Sequence, residues 1–309
     1  MAFTSFFHLG LSSMDSVDRS SEPKYECLLF DMDDTLYSLS SGLNLACRKN
    51  IEEYMLQNLG INENEVPKMC LDLYKEYGTT MAGLKALGYE FDNDEFHQYI
   101  HGRLPYEKLK PDPFLRSLLL SMPQRKIIFT NADKAHVANV LARLGLEDCF
   151  EGVICFETLN PPVEFTEENS YGFEFLTSDI QVEPKRLSSL VDENFDICES
   201  SKISLPKLPI LCKPSVEAFE AAIQIANVNP KKTIFFDDSA RNIAAAKTAG
   251  LHTVLVGGLV VVQGADVALT SIHNMREALP EIWLSVEEKE EEQAELLYPA
   301  TPIETFVLA

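Results

Sequence analysis

The apolar run Leu28-Leu29-Phe30 stops abruptly at three carboxylates, Asp31, Asp33 and Asp34. A short apolar stretch bounded by polar residues predicts a buried strand over 28–30. Beyond Tyr37 the period becomes helical. Leu43, Ala46, Cys47, Ile51, Tyr54 and Met55 recur at helical spacing, and Gly60 follows as a stop. A second stripe covers 66–77 and ends near Gly78, and a third short helix begins over 79–84 and stops at Gly88. A fourth is predicted over 92–100, with Asp92 as N-cap and Glu95 three residues on. This block contains almost no strand pattern, which predicts a helical bundle over 39–109 inserted after the first strand. From Pro111 strands alternate with helices. Helices are predicted over 113–120, 135–144, 216–226, 243–249 and 272–283. Strands are predicted over 126–130, 152–156, 209–212, 233–236, 251–256 and 265–269. Such alternation predicts an α/β, Rossmann-like parallel sheet, a core built from 24–38 and 110–284.

Three stretches stand outside this rhythm. Residues 1–23 carry little pattern and read as a disordered lead-in without the basic start of a secretory signal. Residues 157–202 hold eleven acidic and three basic residues, and 160–206 is expected to be a mobile insertion with no catalytic residue. Residues 285–309 read as an acidic tail.

Charge and cysteines narrow the partners. The 309 residues carry a formal net charge of −22, which argues against nucleic acid, since a phosphate backbone needs a basic face. No apolar run is long enough to span a bilayer. Seven scattered cysteines without a CxxC pair disfavour a disulfide framework and favour a reducing compartment. The expectation is a cytoplasmic chain, extending to the nucleus, with a small-molecule partner, no membrane and no organellar targeting.

The strand ends carry the chemistry. Asp31 and Asp33, Thr130 and Asn131, and Asp237 and Asp238 all follow apolar strands, and Lys213 precedes a helix. In a parallel sheet these ends share one edge. Two adjacent carboxylates repel by roughly 4 kcal/mol at an effective dielectric near 20, a cost relieved by a cation or a proton. Phosphoryl transfer fits the set. Asp31 can attack phosphorus and form an acyl phosphate, and Asp33 can protonate the leaving oxygen and then deprotonate water. Asp31, Asp237 and Asp238 offer oxygen ligands for Mg²⁺, while Lys213 and Thr130 can hold phosphoryl oxygens.

The order DxDxT, strand-Thr-Asn, Lys-Pro and Asp-Asp resembles the haloacid dehalogenase superfamily of hydrolases, and the helical insertion is similar to its C1 cap. The resemblance implies that Asp31 is the nucleophile, Asp33 the acid/base, and Thr130, Asn131 and Lys213 the phosphate-binding set. It further implies Mg²⁺ held by Asp31, Asp237 or Asp238, and the main-chain carbonyl of Asp33. Asp34 replaces the usual glycine of the first motif and reads as a turn residue. The superfamily's dehalogenases lack an acid two residues after the nucleophile, so Asp33 argues for a phosphatase. The segments 74–84 and 101–106 resemble the pyrimidine 5′-nucleotidase (suppressor of disruption of TFIIS-like) branch, plant type, which implies a nucleoside monophosphate such as UMP or CMP. Tyr77 and Arg103 are the candidates for contacting the base. The alternatives are a phosphatase for a sugar phosphate or flavin-pathway intermediate, and a non-catalytic regulatory protein of the same fold.

Overall fold

A computed structural model of the chain describes residues 24–161 and 210–283. The lead-in 1–23, residues 162–206 of the acidic insertion and the tail 285–309 lie outside the described residues. Six strands form one parallel sheet: β1 (Cys27–Phe30), β2 (Arg125–Phe129), β3 (Gly152–Ile154), β4 (Thr233–Asp237), β5 (His252–Val256) and β6 (Val267–Leu269). Their order is β3-β2-β1-β4-β5-β6. The chain builds outward from β1 to one side, then returns to lay β4 on its other side. That reversal places a crevice at the carboxyl end of the β1–β4 pair.

All four residues of β1 are buried because the sheet is covered on both faces. Leu28 and Phe30 join a cluster with α5 (Pro113–Leu120), α6 (Lys134–Leu144) and α10 (Met275–Ala278). Cys27 and Leu29 point the other way, into a cluster with α8 (Val216–Ala226) and α9 (Ala240–Thr248). The period of two thus divides one short apolar run between two cores. Phe30 stacks on Phe236 of β4 with ring centroids 4.7 Å apart, which locks the central pair.

The insertion after β1 holds α1 (Leu43–Gln57), α2 (Val66–Tyr77), α3 (Thr80–Ala86) and α4 (Asn93–His101). Their apolar stripes meet in a third cluster around Tyr54, Met55, Leu73 and Phe96, which also takes in Phe156, Ile210 and Cys212 from the sheet side. The insertion therefore shares part of its apolar core with residues at the carboxyl edge of the sheet. Gly78, at φ 89°, permits the closest approach. A Cβ there would collide with the carbonyl oxygen of Lys213 and stand 2.6 Å from Pro214 Cδ.

Three expected elements differ. Residues 210–212 are not a strand, because the side chain of Asn160 takes the partner's place. Asn160 Nδ2 donates to the Leu211 carbonyl at 2.9 Å, and the Leu211 N–H donates back to Asn160 Oδ1 at 2.8 Å. The strand expected over 152–156 ends at Ile154, where the short helix α7 (Phe156–Leu159) begins, held by a bond from the Cys155 N–H to Thr158 Oγ1. The helix expected over 272–283 is three short turns, Ile272–Asn274, α10 and Pro280–Ile282, since Pro280 has no N–H with which to continue α10.

Candidate active site

A cavity of about 260 Å³ lies between the insertion and the carboxyl edge of the sheet. Asp31, Asp33, Thr130, Asn131, Lys213 and Asp238 all line it, so the sheet brings together residues up to 207 positions apart. The β1 hydrogen-bond ladder continues one residue past the strand, with the Asp31 N–H donating to the Phe236 carbonyl at 2.8 Å. The chain then turns sharply. Asp34 adopts φ 59°, a left-handed conformation that aspartate tolerates, and the Leu36 N–H closes the turn on the Met32 carbonyl at 2.9 Å. This turn returns Thr35 to Asp31, where its hydroxyl donates to Oδ2 at 3.0 Å.

Lys213 holds the other oxygen of Asp31, with Nζ 2.7 Å from Oδ1. The same ammonium donates to Asp237 Oδ2 and to the Phe129 carbonyl, each at 2.8 Å. Three acceptors match its three N–H bonds, and Lys213 is only 1% exposed. Burial works against its charge, but Asp237 and Asp31 outweigh that and raise its pKa. Burial raises the Asp31 carboxyl well above the usual range, Lys213 opposes the rise, and Asp237 and Asp238 add to it.

Two of the expected phosphate contacts line the cavity with their polar groups already engaged. Lys213 has spent its donors on Asp31, Asp237 and Phe129, so it supplies charge and fixes the nucleophile in place of offering a free N–H. Asn131 has spent its amide on the main chain of Lys213, with Nδ2 donating to the carbonyl at 3.0 Å and Oδ1 accepting from the N–H at 2.9 Å. Thr130 remains suited to its expected part. Its hydroxyl accepts from the Ala132 N–H at 3.1 Å, which leaves its own O–H to donate into the cavity.

The two carboxylates after β4 are unlike each other. Asp237 is fully buried and saturated, accepting from Lys213, the Ser239 N–H and Asn242 Nδ2. Asp238 is exposed, lines the cavity and has no side-chain hydrogen-bond partner in another described residue. Partial removal from water, then the charges of Asp237 and Asp34, push its carboxyl up to about 7. Oxygens of Asp31, Asp237 and Asp238 lie within 4.8 Å of one another. A carboxylate without a partner beside two others, all hard oxygen donors, fits a divalent cation. Asp31 and Asp238 have the more open oxygens for it.

Asp33 is held differently. Its Oδ1 accepts from the Tyr37 hydroxyl and lies 2.8 Å from His136 Nε2. Burial alone would raise its pKa, but His136 and Tyr37 bring it down to about 2. His136 lies among a group of rings that includes His101 and Tyr106, with His97 stacked on His101 in turn. His101, on α4, bonds Asp133, the N-cap of α6, and so ties the insertion to the sheet side. Sequence reasoning missed this group. Tyr37 stands four residues after Asp33, and a turn bringing Thr35 to Asp31 carries a spacing of four that could have pointed to it. Nothing local signalled His136, which lies 103 positions from Asp33.

Arg103 and Tyr77, expected to contact a base, do not line the cavity. Arg103 pairs with Glu53 at 2.8 Å and covers the Tyr99 ring at 4.6 Å, with nearly half its side chain exposed. Tyr77 packs into the insertion's own core, against Gly83. Their neighbours Tyr74, Thr79 and Met81 do face the cavity, as do Phe96, His97 and Phe156.

Residues 177–250 match the family described as "Hydrolase: haloacid dehalogenase-like hydrolase". Phosphate metabolism protein 8 of Saccharomyces cerevisiae is 29% identical over 264 residues, covering 81% of this chain and 68% of the yeast protein. A HAD phosphatase of Thermococcus onnurineus aligns over 82% of this chain and 96% of its own, at 17% identity and a TM-score of 0.46. CbbY of Rhodobacter sphaeroides in complex with phosphate aligns over 84% and 100%, at 16% identity and a TM-score of 0.49. The matched family segment contains Lys213, Asp237 and Asp238: Lys213 bonds both Asp31 and Asp237, and Lys213 and Asp238 line the same cavity as Asp31.

Proposed function

We propose that the protein is a Mg²⁺-dependent phosphomonoester hydrolase that works through an aspartyl phosphate on Asp31, with a nucleoside 5′-monophosphate, of the pyrimidine series, as substrate. The observation that carries the reading is the pairing of two unlike aspartates in one cavity. Asp31 is fixed through both oxygens at the sheet edge, and Asp33, two residues on, keeps one oxygen free. Asp31 attacks phosphorus from its fixed position, and the ester oxygen departs on the side where Asp33 supplies a proton. Thr130 donates to a phosphoryl oxygen, and the charge of Lys213 offsets the negative charge gathered there. Asp31, Asp238 and the main-chain carbonyl of Asp33 would hold Mg²⁺, which supplies charge neutralisation for the phosphoryl group. The packed insertion acts as the cap and excludes water from the leaving group.

The nucleotide reading rests on the cap text. Thr79, Thr80 and Met81 of that resemblance line the cavity, with Tyr74 and Phe156 as flat surfaces for a base. The absence of Arg103 and Tyr77 from the lining favours the second reading, a phosphatase for another small metabolite. The deciding experiment is turnover of a panel of nucleotides, sugar phosphates and aryl phosphates with and without Mg²⁺. A specificity constant highest for UMP or CMP supports the first reading, and a preference for a non-nucleotide supports the second. No turnover of any ester refutes the phosphatase itself.

A further inference from the structure

We propose that His136 is a positioning residue for Asp33, which together with Tyr37 reserves one oxygen of that carboxylate for proton transfer. The inference rests on the phosphatase reading above. Both donors converge on Asp33 Oδ1, the Tyr37 hydroxyl from one side and His136 Nε2 at 2.8 Å from the other. Asp33 Oδ2 has no partner among the described residues, and the side chain is 37% exposed in the cavity it lines. A carboxylate bonded twice on one oxygen cannot swing, so the second oxygen keeps its aim at the leaving group.

That oxygen handles the proton in both half-reactions. In the first, the Asp31 oxygen bonds to phosphorus, and the bond from phosphorus to the ester oxygen breaks with its electron pair on that oxygen. His136 and Tyr37 hold Asp33 as the carboxylate, so Oδ2 takes the proton carried by the bound phosphate monoanion and passes it to the ester oxygen. In the second, water bonds to phosphorus, the bond to Asp31 breaks, and Oδ2 takes a proton from the water. In each half-reaction one proton reaches Asp33 and one leaves it, to the ester oxygen in the first and to solvent in the second.

His136 is itself immobilised. It is 3% exposed, and its Nδ1 lies 2.7 Å from the Tyr106 hydroxyl. Its ring stacks on His101 of α4, with centroids 4.4 Å apart and planes 26° from parallel. Nε2 faces a carboxylate and must carry its hydrogen, so Nδ1 accepts from Tyr106 in the neutral ring. Tyr37 stands in the crossing that leaves the sheet for the insertion, and Tyr106 in the crossing that returns. One crossing therefore bonds Asp33 itself and the other bonds the histidine that holds it.

The test compares leaving groups. Proton donation matters most when the departing alcohol is weakly acidic and least for p-nitrophenolate. His136→Phe, which keeps the ring stack and removes the donor, should lower kcat for UMP and for an alkyl phosphate roughly 10- to 100-fold with KM changed by less than about 2-fold. The loss on p-nitrophenyl phosphate should be several-fold smaller. Asp33→Asn should show the same ordering, and adding His136→Phe to it should cost no more than about 2-fold. His136→Gln, whose amide reaches the position of Nε2, should recover most of the loss, while the shorter His136→Asn should not. Equal losses across leaving groups, additive losses in the double variant, or equal activity of the Gln and Asn variants would each overturn the proposal. The last comparison serves if His136→Phe fails to fold. A wild-type enzyme that turns over none of the three esters overturns the phosphatase reading, and the inference with it.

Discussion

Replacing Lys213 by methionine removes one ammonium and leaves two carboxylates that were built around it. Each pair, at 2.7 and 2.8 Å, has a gross attraction of about 6 kcal/mol at an effective dielectric near 20. Burial of the ammonium offsets several kcal/mol of that sum, so the net cost of the substitution falls to about 3–5 kcal/mol at neutral pH. Methionine fills nearly the same volume between Phe129 and Phe235, whose rings lie 5.1 Å from Nζ, so little of the loss is cavity formation. The cost should depend on pH. Without Lys213 the folded-state pKa of Asp31, already raised, moves higher still. A carboxyl raised in the folded state destabilises fully above that folded value and not at all below its unfolded value near 3.9. Urea unfolding of the variant at pH 8 and pH 5, against the wild type at each, should show the larger deficit at pH 8. A deficit under about 1 kcal/mol, or one of equal size at both values, would refute this account of the buried triad.

Asp31→Asn should abolish turnover while leaving the melting temperature within a few degrees, and residual turnover above a few per cent would exclude the covalent route. Asp238→Asn should weaken Mg²⁺ binding in calorimetry while raising the melting temperature more at pH 8 than at pH 5, because the charge it removes, held up to about 7, is unfavourable only at the higher value. Asp237→Asn should instead lower stability at both, since it breaks the contact with Lys213. Arg103→Ala should change the specificity constants for UMP and p-nitrophenyl phosphate by the same factor, within about 2-fold, as expected of an exposed ion pair.

The sequence carried what is local. β1 and β4 are apolar runs that each end in an aspartate pair, and parallel pairing in register, Phe30 opposite Phe236, necessarily puts those ends together. Caps such as Asp92 on Glu95 and Ser215 on Ala218 fall where spacing placed them. Saturation is not local. Whether Lys213 has a free N–H depends on Asp31, 182 positions away, and whether Asn131 is free depends on Lys213, 82 positions away. A short apolar run over 209–212 looks like a strand to any pattern, and only the position of Asn160 shows that a side chain has taken the neighbouring strand's hydrogen bonds. Arg103 and Tyr77 lie in stretches that border the cavity, but the turn after α4 leaves Arg103 exposed and helical phase sends Tyr77 to the bundle core.

The bare backbone at Gly78 has a consequence for what this chamber can become. Its wall at that point is a seam of main chain against main chain, with a tolerance of one hydrogen atom. A methyl group there is a wedge, and it acts on the carbonyl of Lys213, the residue on which the nucleophile hangs. Alanine at 78 would therefore loosen the roof and disturb the floor in one stroke, admitting water and bulkier esters while blunting attack. Broader substrate range and slower chemistry are coupled at this residue, so changes that widen acceptance without that penalty must come from the side chains of α3 and α4 that face the opening, such as Met81 and Phe96.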